Sequence, residues 1–490
     1  MNSFKKLVSD TAIYGVSSIV GRFLNWWLVP YYSHLFLPQE YGIVANLYSY
    51  MAFLLVLLTF GMETGYFRYA SSHKDKELVY SSSLITLFLT SLSFLFVVYT
   101  FSDGIARWME YESHPEYIQW IALIMAFDAF TAIPFAKLRI ESRPIKFAVI
   151  KLVNIFCNIF FNIFFLSICP ALLKSNPNSI VGLIYDANMG VGYVFISNLI
   201  ASGITLLMLL PELRIKLRFS RLLLKEIVWY SFPILIVGIA GMVNQNIDKI
   251  LIPKLIPDDQ GPMEQLGIYG ANYKLAVLMN MFIQAFRYAF EPFFFSQAKS
   301  ENNKKGYALI LKYFVIFGLI IFLGISLFLD LFRVLNIIDP SYYSGLKIVP
   351  IILMANLFLG IYYTLSLWYK LTDKTRYGAY LALIGAAISL IVNILFIPMY
   401  GYMASAYAVL ICFVVMSVLS YLMGQKHFPV DYPIKRIGLY FALSLVIYVL
   451  SVIIDLPTGV LTYLYNFVLF SIFISVVYLL ENKEFRKFLR

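Results

Sequence analysis

Five polar residues interrupt a long apolar stretch near the middle of the sequence. Residues 241–255 read GMVNQNIDKILIPKL, and positions 244–249 hold three amides, a carboxylate and an ammonium group. Amide side chains form hydrogen bonds with hydroxyl groups, and an ammonium group binds phosphate. Asn244, Asp248 and Lys249 are therefore candidate ligand-binding residues. The alternative is a helix that ends early and leaves these groups at the edge of the apolar region.

A second set of polar residues recurs at helical spacing in the apolar run 267–295. If this run is one continuous helix, five of its polar residues fall within about 60° of one another around the axis. They are Tyr273, Asn280, Gln284, Arg287 and Glu291. Two interpretations stay open: the stripe lines a water-filled cavity, or Arg287 and Glu291 neutralise each other among packed helices. The two amides on the same line favour the cavity.

Ionisable residues also occur in other apolar runs. Arg22 and Asn25 share one helical face with small and polar residues of the first run. An ionisable group inside a bilayer costs about 2.5–3.5 kcal/mol, so it faces a cavity or a partner. Arg22 is a candidate for binding an anionic ligand. Glu63, Asp128 and Glu291 are candidates for binding a proton or a sodium ion.

The composition shows the setting in which these residues act. Of the 490 residues, 61% are hydrophobic and only 13% are charged, whereas a soluble domain carries about 25% charged residues. The apolar runs are about 20 residues long, which is the length a helix needs to cross a bilayer. We count fourteen such runs. The sequence therefore predicts an all-α, polytopic membrane protein with about 14 transmembrane helices.

A basic connector divides these runs into two sets. Arg214, Arg218, Arg221 and Lys225 recur at helical spacing, which predicts an amphipathic helix on the cytoplasmic membrane surface. Four segments follow from this division. They are an N-terminal lobe of six helices (1–210), the amphipathic linker (211–228), a C-terminal lobe of six helices (229–424), and an extra helix pair with a basic tail (425–490).

Lysine and arginine are distributed unevenly between the two predicted sides of the membrane. The side that holds both termini carries 28 of them, and the opposite side carries 5. The positive-inside rule therefore places both termini in the cytoplasm. This asymmetry also accounts for most of the net charge of +11. Since a nucleic-acid-binding protein needs one contiguous basic face, we expect no nucleic-acid partner.

The sequence shows no motif of a known catalytic site. We find no nucleotide-binding Gly-rich loop, no nucleophile–base constellation and no metal-ligand cluster, and no loop is long enough to form a catalytic domain. The three cysteines lack the spacing of a disulfide framework or a metal site. We therefore expect a protein that is not an enzyme and that uses no cofactor and no metal. A membrane-embedded glycosyltransferase or ligase is the weakest of the functions considered.

Several stretches carry a resemblance to a known family. They are GRFLNWWLVPYYSHLFLPQEYG (21–42), KLRIESRPIKF (137–147), NQNIDKILIPKL (244–255), LGIYGANYKLA (266–276) and FEPFFFSQ (290–297). The sequence resembles the polysaccharide-biosynthesis branch of the multidrug/oligosaccharidyl-lipid/polysaccharide exporter superfamily, which includes flippases for O-antigen and other lipid-linked oligosaccharides. The resemblance extends over most of the chain.

This resemblance implies both a fold and a function. The fold would be two six-helix lobes around a central cavity, with an added helix pair as in the branch that flips the peptidoglycan precursor. The function would be translocation of a polyprenyl-diphosphate-linked oligosaccharide across the bacterial cytoplasmic (inner) membrane, by alternating access, for lipopolysaccharide or another surface polysaccharide. The alternative is an ion-coupled exporter of small solutes, similar to a drug/cation antiporter. Arg22 argues against that alternative because a cation exporter favours acidic groups in its first span.

The resemblance also suggests roles for the candidate residues. The diphosphate would bind Arg22, Lys249 and Arg287, and the sugar hydroxyls would bind the amides and the neighbouring carboxylate. These are Asn25, Asn244, Asp248, Asn280 and Gln284. We expect membrane lipids and the lipid-linked oligosaccharide as partners. We expect a functional monomer that works beside a polysaccharide polymerase or glycosyltransferases.

Overall fold

The computed structural model describes residues 3–297, 303–372, 374–454 and 459–488. These residues are almost entirely helical and contain no β-strand. Twelve of the described helical segments are long and apolar enough to cross a membrane. The other two predicted spans are also helical but lie outside that set of twelve. The prediction of an all-α polytopic membrane protein is confirmed.

The first of two compact units comprises the described residues up to Leu28 together with Gln39–Ile250. Its helices include the ends of two long ones that continue into the second unit. They are α1 (Ser3–Leu35), α2 (Pro38–Thr59), α3 (Met62–Ser72), α4 (Lys76–Thr100), α5 (Ser102–Trp108), α6 (Pro115–Ile140), α7 (Pro144–Ile163), α8 (Cys169–Ser175), α9 (Gly192–Leu209) and α10 (Arg221–Leu255).

The core of this unit is built from helices α3, α4, α6 and α10. Met62, Leu84, Ile133 and Ile227 are buried in one apolar cluster, and close van der Waals packing of this kind is what holds helices together in a bilayer. The chain turns between α2 and α3 at Gly61, whose φ of +66° is a conformation that glycine adopts without strain. That turn sets the direction of α3 and places its acidic first turn.

The predicted amphipathic helix over the connector is wrong for its first half. Residues 214–220 are not helical, and α10 begins only at Arg221. The backbone N–H of Arg218 donates to Ser81 Oγ at 2.7 Å, and that of Ser220 donates to Ser82 Oγ at 3.2 Å. These amides are satisfied by side chains of α4, so the connector gains little by coiling into a helix. The shared basic face therefore does not form.

Contacts group most of α10 with the first unit, whereas the sequence placed the division before this helix. The grouping extends to Ile250. Phe232 lies against Phe60 at 6.3 Å between ring centroids, and Asn46 Nδ2 donates to the carbonyl oxygen of Lys249 at 2.8 Å. The first seven long runs of the sequence thus contribute to this unit.

The second compact unit comprises residues Val29–Pro38 and the described residues from Leu251 onward. The helices that begin within it are listed here in chain order. They are α11 (Pro262–Leu275), α12 (Val277–Gln297), α13 (Asn303–Ser326), α14 (Asp330–Val334), α15 (Val349–Leu365), α16 (Leu367–Leu371), α17 (Arg376–Tyr400), α18 (Tyr402–His427), α19 (Ile434–Ile453) and α20 (Val460–Phe488).

Helix α18 packs against both α15 and α17 in the interior of the second unit. Its buried face presents small residues and Phe413, and its Ser417 hydroxyl donates to the carbonyl oxygen of Phe358 on α15 at 2.7 Å. Small side chains allow helices to approach closely, and the hydroxyl satisfies its polar atom across the contact. The unit therefore has a helical core of its own.

The prediction of one continuous helix over 267–295 is wrong at Ala276. The N–H of Ala276 bonds to the carbonyl oxygen of Tyr273 at 3.1 Å, as in a tight turn, and this separates α11 from α12. The carbonyl oxygen of Ala276 accepts instead from Asn356 Nδ2 at 3.3 Å. Tyr273 therefore lies on a different helix from Asn280, and the predicted stripe is shortened by one member.

Candidate functional site

The polar cluster of α10 lies inside a helix and is buried. Asp248 is 1% exposed and Lys249 is 9% exposed, and α10 continues past both of them to Leu255. Lys249 Nζ donates to Asp248 Oδ1 at 3.1 Å and to the carbonyl oxygen of Gln245 at 3.0 Å. The alternative of a helix that ends before these groups is therefore excluded. Asn244, one turn before Asp248, is also buried.

Two residues that the sequence analysis missed support this cluster. Asn46 on α2 is buried and donates to the carbonyl oxygen of Lys249 at 2.8 Å. Its Oδ1 accepts a hydrogen bond from the hydroxyl of Tyr111 at 3.0 Å. Asn46 is thus held on both ends of its amide, and it fixes the backbone that carries the Asp248–Lys249 pair. An amide alone in an apolar run was the only signal in the sequence.

Arg22 and Asn25 occupy a different environment from the α10 cluster. Both side chains on α1 are exposed on the first unit. Phe23 and Trp26 stack beside them with ring centroids 6.0 Å apart. The structure therefore presents an arginine and an amide outward on an aromatic-rich helix, as expected for groups that contact a ligand or solvent. Their assignment to substrate binding stays a prediction.

The remaining polar stripe lies on α12 in the second unit. Asn280, Gln284 and Arg287 share this helix, and all three are half-buried. The guanidinium of Arg287 lies over the ring of Tyr363 on α15, with its carbon 4.5 Å from the ring centroid. This cation–π contact leaves the edge of the guanidinium plane for hydrogen bonding. The side chain of Glu291 lies outside the described residues, so the proposed Arg287–Glu291 pair stays untested.

Glu63 has a partner that the sequence did not suggest. It lies in the first turn of α3 and forms an ion pair with Arg139 at the end of α6. The guanidinium of Arg139 also lies over the rings of Phe67 and Phe147, at 5.0 and 5.7 Å from their centroids. Glu63 is therefore one half of a specific ion pair within the first unit.

Asp128 lies within a polar network on the membrane-spanning helices of the first unit. Its Oδ1 accepts a hydrogen bond from Ser202 Oγ on α9 at 2.8 Å. Lys151 of α7 lies close enough to attract this carboxylate electrostatically, and its ammonium sits 4.1 Å from the ring centroid of Phe135. Asn198, one turn before Ser202, donates to the hydroxyl of Tyr48 at 3.2 Å. A carboxylate, an ammonium and hydroxyls within spanning helices can exchange a proton or hold a small cation.

Sequence reasoning missed Lys151 and Ser202 as partners of Asp128. Lys151 lies near the start of an apolar run, where it reads as an ordinary residue at the end of a helix. Ser202 is one hydroxyl among several on α9. Only the packing of α6 against α7 and α9 shows that these residues belong with Asp128.

Comparison with known proteins places the chain in a family. A family model described as polysaccharide biosynthesis protein matches residues 33–332, which is well over half of the chain. The chain belongs to this family. No curated protein sequence matches it significantly.

Solved structures share its fold. The lipid II flippase MurJ in an inward closed conformation matches with a TM-score of 0.73 and 16% identity, over 98% of this chain and 100% of that chain. An inward-facing multidrug resistance MATE family transporter of the MOP superfamily matches with a TM-score of 0.64 and 13% identity, over 83% and 94% of the two chains. The MATE multidrug transporter DinF-BH matches with a TM-score of 0.60 and 16% identity, over 87% and 96%.

These matches establish the MOP superfamily transporter fold for this chain. Coverage of 98% in the MurJ match leaves too few residues to omit α19 and α20, which hold 20 and 29 residues respectively. The extra helix pair is therefore part of the fold shared with MurJ. The proteins that the chain resembles are transporters and flippases.

Proposed function

We propose that this protein is a flippase that moves a polyprenyl-diphosphate-linked oligosaccharide across the bacterial cytoplasmic membrane by alternating access. Its product would enter a surface polysaccharide such as the O-antigen of lipopolysaccharide. The observation that carries the proposal is the match to polysaccharide biosynthesis proteins in a chain whose fold, helix pair included, is shared with a lipid II flippase. The cationic and amide side chains on α1, α10 and α12 support it.

Each class of side chain would contact a different part of this substrate. Arg22, Lys249 and Arg287 would bind the diphosphate, since hydrogen bonds between two charged groups are about twice as strong as neutral ones. The amides would bind sugar hydroxyls, to which they can both donate and accept hydrogen bonds. They are Asn25, Asn244, Asn280 and Gln284.

Asp248 would act on the substrate through Lys249. It holds the ammonium group at 3.1 Å, and Asn46 fixes the backbone of the same residue. A cation that is already held in position loses less conformational entropy when it meets a phosphate. We therefore assign Asp248 to the positioning of Lys249 and to the binding of the proximal sugar.

The test is polysaccharide export by a bacterial strain that lacks its own flippase of this class. Arg22→Ala with Lys249→Ala should reduce surface polysaccharide by at least about tenfold, because each removes a charged hydrogen bond to the diphosphate. Arg22→Lys should restore export only in part, since an ammonium lacks the guanidinium fork. Lys174→Ala, which alters an exposed lysine outside these helices, is the matched control.

Immunoblotting of membranes checks that each variant is inserted. Full export by the double variant would show that the two charges are structural. Failure of the wild-type protein to restore export, together with resistance of the host to cationic drugs, would favour the second candidate function.

That second candidate is an ion-coupled exporter of small solutes, and the Asp128 network favours it. We propose Asp128, with Glu63 and Glu291 as further candidates, as a site of proton or sodium coupling in either function. Asp128→Asn should make transport by reconstituted protein independent of an imposed ion gradient. Transport by this variant that still follows the gradient would remove Asp128 from the coupling step.

The location follows from the distribution of charge. We propose the cytoplasmic (inner) membrane with both termini in the cytoplasm, a functional monomer, and action beside a polymerase or glycosyltransferases. The functional division at residues 211–228 belongs to the same proposal. Labelling of Lys74→Cys by an impermeant thiol reagent added outside intact cells would contradict this orientation.

A further inference from the structure

Three cations converge on one buried carboxylate where α6 ends, α7 begins and α9 ends. The Glu212 side chain is 5% exposed. Its oxygens lie 3.3 Å from Lys137 Nζ, 2.9 Å from Arg143 Nη1 and 2.5 Å from Lys146 Nζ. We call these four residues, together with Glu141, the Glu212 cluster.

The Glu212 cluster carries one positive charge more than its carboxylates neutralise. Glu141 is its second acid, 3.2 Å from Arg143 Nη1 and 3.9 Å from Lys137 Nζ. Three cations therefore face two carboxylates. The carboxylate of Glu212 points inward, whereas the side chains of Arg143 and Lys146 are 42% and 29% exposed. The surplus positive charge is thus presented on the outer surface.

A surface cavity of about 490 Å³ opens beside these two cations. Arg143 and Lys146 line it together with apolar side chains, among them Ile145 and Val149, which are 69% and 46% exposed. The cavity lies where two membrane-spanning segments meet, between Ile140 and Pro144. It therefore combines a cationic rim with an apolar floor at the boundary between water and hydrocarbon.

We propose that this cavity binds an anionic phospholipid. The phosphate would lie on Arg143 and Lys146, and an acyl chain would run along Ile145 and Val149. A guanidinium fork and an ammonium suit phosphate oxygens, and basic pockets between spanning helices attract anionic headgroups. Binding here is separate from the proposed translocation of substrate, since none of the candidate substrate residues lines this cavity.

The experiment is native mass spectrometry of the full chain, titrated with phosphatidylglycerol or with phosphatidylcholine. The wild-type protein should bind phosphatidylglycerol more tightly. Lys146→Gln should weaken that binding about fivefold, since it removes one charge at the membrane surface. Lys74→Gln, which removes an exposed lysine outside the cavity, should leave it unchanged.

Two further variants leave every ion pair of Glu212 in place, so they decide the question even if Lys146→Gln fails to fold. Ile145→Glu puts an acid on the cavity floor and should weaken phosphatidylglycerol binding. Glu141→Gln removes the exposed acid, raises the surplus charge, and should strengthen binding about fivefold. Equal binding of the two lipids, or no change in either variant, would overturn the proposal.

Competition separates the sources of phosphate. Millimolar inorganic phosphate should not displace phosphatidylglycerol, because it makes no contact with the apolar floor. Displacement by it would show a free-anion site. Preferential binding of a short-chain prenyl diphosphate would show a loading site for the transported lipid, and either outcome would overturn the assignment to a phospholipid.

Discussion

Each of the two units contains a cluster of ion pairs, and the two clusters are built differently. In the Glu212 cluster, three partly exposed cations surround one buried carboxylate. In the second unit, Lys312 of α13 and Glu481 of α20 pair at 2.5 Å with side chains only 2% and 5% exposed. The hydroxyl of Tyr440 on α19 donates to the same carboxylate at 2.5 Å, and Arg436 approaches it at 3.5 Å.

The difference lies in redundancy and burial. Any one cation of the Glu212 cluster can be lost while two others still neutralise the acid. The ammonium of Lys312 is almost fully buried against Glu481, and the cost of a charge that loses its counter-ion in a dry interior is large. The second cluster therefore fixes one geometry, in which α19 and α20 dock on α13. The first tolerates change and leaves charge over for the surface.

The largest effect is expected from breaking the buried pair. Glu481→Ala should lower the free energy of unfolding by about 3–5 kcal/mol, because Lys312 is left buried without this counter-ion. The double variant Lys312→Met with Glu481→Leu should recover most of that loss. Thermal unfolding of the purified protein in detergent measures both. Wild-type stability of Glu481→Ala would show that the pair does not dock the helix pair.

A smaller effect is expected at the Glu212 cluster. Glu212→Gln should lower the free energy of unfolding by about 1.5–3 kcal/mol, since three cations lose their shared acceptor. Lys146→Ala should cost less than about 1 kcal/mol, because Lys137 and Arg143 remain on the carboxylate. The same unfolding measurement applies. Equal losses in the two variants would contradict the redundancy of the cations.

The smallest effect is expected at an exposed ion pair. The pKa of Asp75 is held below its usual range by the backbone N–H of Leu78, which it caps, and by the guanidinium of Arg218 at 2.8 Å. A carboxyl whose pKa is lowered on folding contributes stability above its unfolded pKa and loses it as the pH falls through the folded value. Asp75→Asn should therefore destabilise the protein slightly at neutral pH and not below the folded pKa. Unfolding at the two pH values checks this, and a loss that persists in acid would assign it to the N-cap geometry alone.

The sequence by itself determined the class of fold and much of the family assignment. Apolar length is a local property, so runs of about 20 residues predict spanning helices wherever the rest of the chain lies. Ionisable residues within such runs also stand out without any structure, as Asp128 and Lys249 did. The extra helix pair was visible for the same reason, as two apolar runs beyond the twelfth.

Only the tertiary structure decided what each polar residue contacts. Asn46 and Lys249 are 203 positions apart in the chain, and Asp128 and Ser202 are 74 apart, so no spacing rule relates them. The connector failed to coil because Ser81 and Ser82 of α4 took its amides, and α11 ended where Asn356 took a carbonyl oxygen. Helical periodicity describes a helix that satisfies its own backbone. Where another segment supplies the hydrogen bond, the packing of the fold decides the local structure.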